Sequence, residues 1–118
     1  ALNIDLAPTM LDYAGVAIPK SMQGVSLRPL LNGESPKWRY DWFYEHHSVT
    51  KIIPPSEGIR TTRWTYLRWM KDETKPVEEL YDLQNDPLQE HNLVAEAAHQ
   101  ETLRQLQARW QLLRKELE

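Results

Sequence analysis

The 118-residue sequence predicts an α+β domain: a four-stranded antiparallel sheet packed by a long C-terminal helix and preceded by short helices. Three observations predict it. Four short strand-like runs lie between residues 42 and 83, separated by loops and turns. From about Glu96 onward, Leu103, Leu106, Trp110, Leu113 and Leu117 fall at intervals of 3, 4, 3 and 4, which places them on one helix face. Two brief helical patterns precede residue 36.

Each element follows from its residues. Asn3 to Gly15 reads as a short helix, with Leu6, Met10, Leu11 and Ala14 at helical spacing. Asn3 or Asp5 is placed to cap it, Pro8 is tolerated only in the first turn, and Gly15 is a natural stop. Val16 to Gln23 is a proline-containing connection. Ser26 to Leu31 is a further turn or two of helix, with Ser26 as cap and Gly33 as exit. Trp42 to His46 is an aromatic-rich strand, followed by a loop with Pro54-Pro55. Glu57–Thr61 and Trp64–Trp69 read as a hairpin turning near Thr62-Arg63. Asp72 to Pro76 is a charged turn, and Glu79 to Leu83 is a fourth strand. Gln84-Asn85-Asp86-Pro87 carries turn chemistry, because Asn and Asp bond their own backbone and Pro fixes φ. The tail, Glu96 to Glu118, has about two heptads, too few for a coiled coil, so it is expected to lie on the sheet.

Composition narrows the function. Eleven aromatic residues, five of them Trp, supply enough apolar surface to exclude a wholly disordered chain. No apolar run approaches the length of a membrane span. A net charge of -3, with charges scattered, gives no electrostatic case for nucleic acid. The absence of cysteine excludes a disulfide scaffold, a thiolate metal site and a Cys nucleophile within the chain. The first residue is Ala, and no basic and apolar leader follows it. The chain is therefore expected to be a piece of a longer protein, with any targeting signal in the remainder.

Candidate chemistry is sparse. His46 and His47 are adjacent on a strand and point to opposite faces, so they cannot readily share a metal ion, though one imidazole at a strand end can meet a ligand. His91 and His99 read as solvated surface, and no HExxH or other metal-ligand spacing occurs. Arg60, Arg63, Arg68 and Lys71 interleave with Trp64, Tyr66 and Trp69. Two arrangements fit that pattern: a platform for a sulfated sugar or single strand, or a hairpin with one aromatic face buried and arginines at its rim. Glu45, Glu57 and Asp82 are possible acid/base carboxylates, with no pair set apart at a defined separation. GxSxG, GxxxxGK[ST] and GxGxxG are absent, and Ser21, Ser26, Ser48 and Ser56 have no recognisable base. On these residues the chain reads as non-catalytic.

The order of motifs carries a resemblance. Asn3-Ile4-Asp5-Leu6-Ala7-Pro8-Thr9-Met10-Leu11 with Ala14-Gly15-Val16 comes first, then Gln23-Gly24-Val25-Ser26-Leu27 with Pro29-Leu30-Leu31. Tyr44-Glu45-His46-His47 follows, then Gly58-Ile59-Arg60-Thr61 with Arg63-Trp64-Thr65-Tyr66. Last come Glu79-Leu80-Tyr81-Asp82-Leu83, Asn85-Asp86-Pro87 and Glu90-His91-Asn92-Leu93. Over nearly the whole chain, this succession resembles the C-terminal region of type I sulfatases, the formylglycine-dependent branch of the alkaline phosphatase superfamily.

The resemblance implies that residues 1–36 end a large N-terminal domain and its connection, and that 37–118 form the C-terminal subdomain of sheet plus helix. Asp5, Pro8 and Thr9 would shape a helix start and bind no ligand. The Glu-Leu-Tyr-Asp-Leu strand and the Asn-Asp-Pro turn would be structural. The formylglycine nucleophile, made within a Cys/Ser-x-Pro/Ala-x-Arg motif, and the calcium ligands would lie upstream. The chain would therefore hold no cofactor and be inactive alone, while the parent protein hydrolyses sulfate esters, with sulfated glycans as the implied substrates. In that family this region forms one wall of the substrate cleft, which would make His46 and His47 candidates for hydrogen bonding the sulfate or a neighbouring hydroxyl. Arg60 is a further candidate, or else is buried with a carboxylate partner. The implied partners are the N-terminal catalytic domain and a sulfated sugar, with neither nucleic acid nor membrane, and an exposed docking face would let the fragment dimerise. The family implies a periplasmic, secreted or lysosomal setting. The alternatives are a stand-alone sulfated-glycan-binding module, or the C-terminal part of a related phosphonate or phosphodiester hydrolase.

Overall fold

A computed structural model describes residues 1–47, 52–70 and 75–117. They fall into two units, Ala1–Trp38 and Arg39–Glu118.

The first unit begins with a 3-10 turn, Asn3–Asp5, running into α1, Leu6–Tyr13. Pro8 sits in the first turn of α1, where its missing N–H costs nothing. Gly15 ends the helix with φ 69°, a conformation that strains any residue with a Cβ. Asp5 differs from the expected cap. Its fully buried carboxylate accepts from the Leu2 N–H at 2.7 Å and the Val25 N–H at 3.0 Å, tying the chain start to residue 25. The Thr9 hydroxyl donates to the Asp5 carbonyl and accepts from the Leu27 N–H. Ser26 donates to Asp12 at 2.6 Å and accepts from the Arg28 N–H, so it helps start α2, Arg28–Leu31. Gly33, with φ 80°, closes that turn.

The second unit is a meander of four antiparallel strands in the order β1-β2-β3-β4. They are β1 Asp41–His46, β2 Ser56–Thr61, β3 Trp64–Trp69 and β4 Val77–Asp82. The fourth strand starts two residues before the expected position and ends one residue sooner. The expected charged turn lies partly outside the described residues. Between β2 and β3, the Thr61 hydroxyl accepts from the N–H groups of Arg63 and Trp64, which makes the two-residue turn a local consequence of Thr61.

A 3-10 turn, Ala97–His99, leads into α3, Gln100–Leu117. Strand alternation sends Phe43, Ile59, Tyr66 and Leu80 toward α3, where they pack with Leu103, Leu106 and Trp110. Burying this set supplies the main stabilisation of the unit. Leu117 departs from the expected stripe and is 47% exposed. An 18-residue helix is roughly 27 Å long, whereas a six-residue strand spans about 20 Å, so the last turn outruns the sheet.

The outer edge of β4 is covered by the chain that follows it. Asn92 accepts from the Leu80 N–H at 3.0 Å, and the Leu93 N–H donates to the Leu80 carbonyl at 2.8 Å. Asp86 caps the N–H groups of Glu90 and His91, while Asp82 binds Arg63 through two nitrogens, at 3.0 and 2.7 Å. The Asn-Asp-Pro turn thus shields the sheet edge and delivers the chain to α3.

Candidate functional site

β1 ends at His46, which faces Ser56 across the ladder. His46 and His47, the second just beyond the strand, line one cleft at its end, with Glu45, Ser56, Glu57 and Arg114. His46 is half-buried, and His47 is exposed with Nε2 3.2 Å from a Glu45 oxygen. Glu45 and Glu57 are cross-strand neighbours on the α3 side, so the cleft opens where the sheet end meets the helix.

The floor of the cleft is charged and partnered. The buried Glu57 carboxylate lies 3.4 Å from Arg68 and 3.5 Å from Arg114. The Arg68 guanidinium stacks over Trp110 at 4.2 Å, with that of Arg114 at 5.7 Å from the same ring. Beyond Arg68, Glu78 accepts from the Tyr66 hydroxyl and from Gln107. Burial, reinforced by the Glu78 carboxylate, pushes the Tyr66 phenol well above its ordinary range. Glu57 is therefore spent on two arginines and does not stand free as an acid or base. Arg114 went unnoticed in the sequence because it reads there as one more charge on the polar face of the tail.

Arg60 is not brought to the histidines. It lies on the sheet face opposite α3, across from Trp42, in a separate groove with Tyr44, Thr65, Leu67 and Trp69. Trp42 is four residues from His46 along β1, roughly 13 Å by strand rise. The interleaved cations and aromatics likewise divide between the two faces. Trp64, Tyr66 and Arg68 turn toward α3, Trp69 and Arg60 turn away, and Arg63 stacks on Trp64 at 4.9 Å while paired to Asp82. Lys71 and Ser48 lie outside the described residues. A single continuous platform does not form among the described side chains.

The resemblance implies calcium and a formylglycine nucleophile for the parent protein, and the described residues assemble no cation site. Among the described residues, no three His, Asp or Glu side chains converge as a metal ion would need. What the cleft offers is imidazole, a group that can bind and orient an anion or a sugar hydroxyl.

Comparison with known proteins agrees with this architecture. The family model described as N-sulphoglucosamine sulphohydrolase, C-terminal, matches residues 1–116. The chain is 35% identical over 115 residues to an N-acetylglucosamine-6-O-sulfatase of Bacteroides thetaiotaomicron, covering 90% of this chain and 20% of that protein. It is 33% identical over 106 residues to a Delta 4,5-hexuronate-2-O-sulfatase of the same organism, covering 86% of this chain and 21% of that one. The solved structure of BT4656 in complex with its substrate D-glucosamine-2-N,6-O-disulfate superposes with a TM-score of 0.83 at 30% identity, covering 98% of this chain and 23% of that one. The chain thus spans about a fifth of the length of the curated relatives it matches. With the family model matched over nearly the whole chain and the fold shared with a solved sulfatase structure, the chain belongs to the sulfatase family as its C-terminal region.

Proposed function

We propose that this chain is the C-terminal part of an enzyme that hydrolyses sulfate esters of glycans, and that its histidine cleft forms part of the wall that holds the sugar. One observation carries the proposal for the cleft: the His46 and His47 imidazoles meet at the end of β1 while the buried Glu57 carboxylate behind them is neutralised by Arg68 and Arg114. An anionic sulfate approaching a bare Glu57 would be repelled. With Glu57 paired, the imidazole N–H groups can donate to sulfate oxygens or to a neighbouring hydroxyl. The chain supplies no nucleophile to this reaction; its residues bind and orient.

The test is sulfate release by the full-length protein from sulfated glucosamines and uronides. A hydrogen bond to a charged group is worth about 1.5–3 kcal/mol, so His46→Ala or His47→Ala should raise KM about tenfold to a hundredfold, with a smaller change in kcat. An unchanged KM in both variants, with folding intact, would remove the cleft from the substrate wall. Absence of sulfate release from any sulfated sugar would favour a binding module or a related hydrolase.

A further inference from the structure

A further groove lies at the other end of β1 from the histidines, between the sheet and the first half of α3. Tyr40, Asp41, Trp64, Thr102, Gln105 and Arg109 line it. Asp41 and His46 stand at opposite ends of β1, so the groove and the histidine cleft are roughly 17 Å apart. Two rings border the groove: Tyr40, 61% exposed, and Trp64, which is partly buried against the core. Thr102, Gln105 and Arg109 recur at intervals of 3 and 4, so they form one polar row along the flank of α3. These groups have hydrogen-bonding capacity to spare. Arg109 binds Asp41 through two nitrogens, yet its side chain is 40% exposed and keeps further N–H donors. Gln105 donates an amide N–H to Glu101 at 3.0 Å, which leaves its carbonyl oxygen as an acceptor.

This chemistry selects an occupant. Arg109 is paired with Asp41, and Arg63, stacked on Trp64, is paired with Asp82. A bare anion such as sulfate gains little in such a place, because Asp41 repels it. An apolar partner fits no better, since it would strip water from Gln105 and the Arg109–Asp41 pair and return no hydrogen bonds. A sugar ring answers both demands. Its C–H groups lie against the negative face of an aromatic ring, while its hydroxyls donate to a carboxylate or carbonyl and accept from a guanidinium. We propose that this groove is a second glycan-binding site that takes an uncharged pyranose unit, with the ring against Tyr40 and Trp64 and the hydroxyls on Gln105, Arg109 and Asp41. It holds sugar without cutting it, and it is separate from the cleft that meets the sulfated unit. The proposal rests on the glycan reading above.

Calorimetric titration of the full-length protein with the neutral N-acetylglucosamine tetrasaccharide tests it. Binding is expected, and raising salt from about 0.05 to about 0.5 M should change Kd by less than about twofold, because no net charge is paired. Tyr40→Ala and Gln105→Ala, both at exposed positions, should each weaken binding about fivefold to tenfold. Neither should alter KM for sulfate release from a sulfated monosaccharide, which is too short to reach from the cleft to the groove. His46→Ala should leave tetrasaccharide binding as it was. Absence of binding overturns the proposal, and so does binding that both groove variants leave untouched. Binding that weakens with His46→Ala would put the sugar in the cleft instead. Binding confined to a sulfated heparin tetrasaccharide and abolished by salt would assign the groove to an anion, which also overturns it. Sulfate release from the same preparation separates the two claims. Release without tetrasaccharide binding sinks the groove alone, and binding without release from any sulfated sugar sinks the sulfatase reading alone.

Discussion

Gly58 occupies the one position in β2 where a side chain cannot be placed. A Cβ built there would stand 2.1 Å from the Tyr66 carbonyl oxygen and 3.1 Å from Leu67, both on the neighbouring strand. Backbone cannot give way as a flexible side chain can, so the β2–β3 ladder would have to part. Gly58→Ala should destabilise the chain by about 2–3 kcal/mol or more, read as a lower urea midpoint. An unchanged midpoint would mean that the strands are looser than the ladder implies. In the sequence Gly58 appeared only as part of a motif, because a glycine beside Ile gives no sign of what lies across the ladder. Asp5 shows the same limit. Its place near a helix start was legible, but its partner at Val25 was not, since the two meet only after the chain turns back on itself.

At the scale of elements, period and turn chemistry proved sufficient. All four strands and the long helix were legible because alternation and 3.6-residue spacing reflect burial directly. The division of Arg60, Arg63 and Arg68 among separate environments was legible only as one of two alternatives, because the register that sorts them depends on where each strand ends. The contact of α3 with the sheet depends most on Trp110, which is buried beneath the core and stacked by Arg68. Trp110→Ala should cost about 3–5 kcal/mol, while Trp110→Phe, which keeps a ring for Arg68, should cost distinctly less. Equal losses in thermal or urea unfolding would show that ring stacking contributes little and volume alone matters. Next to Trp110 on α3, Arg109 grips Asp41 at the start of β1 through two nitrogens, at 2.6 and 3.0 Å, which ties the helix to that strand.

At the scale of the whole molecule, ionisable groups bracket the pH range over which the fold holds. Asp82 accepts from Arg63, the Gln84 N–H and Asn85, which together hold its carboxyl down at about 2. Asp86 and Asp12 are lowered as well, the first chiefly by the N–H groups of His91 and Glu90, the second chiefly by Ser26. A carboxyl held low in the folded state lends stability that is complete above its unfolded value near 4 and is lost as pH falls toward 2. Tyr66 sets the opposite limb. Its raised phenol lends stability that is complete below the unfolded value near 10 and is lost as pH rises beyond it, because the unfolded chain releases that proton first. Unfolding free energy is therefore expected to be level between about pH 5 and 9 and to fall on both sides. Asp82→Asn should lower the plateau by about 2 kcal/mol and flatten the acid limb, since the charge-assisted bonds to Arg63 would be gone at every pH. Tyr66→Phe should flatten the alkaline limb and leave the acid one alone. If Asp82→Asn kept the full acid limb, the carboxyls that stabilise the fold would have to be others, and the bracket drawn around Arg63 would be wrong.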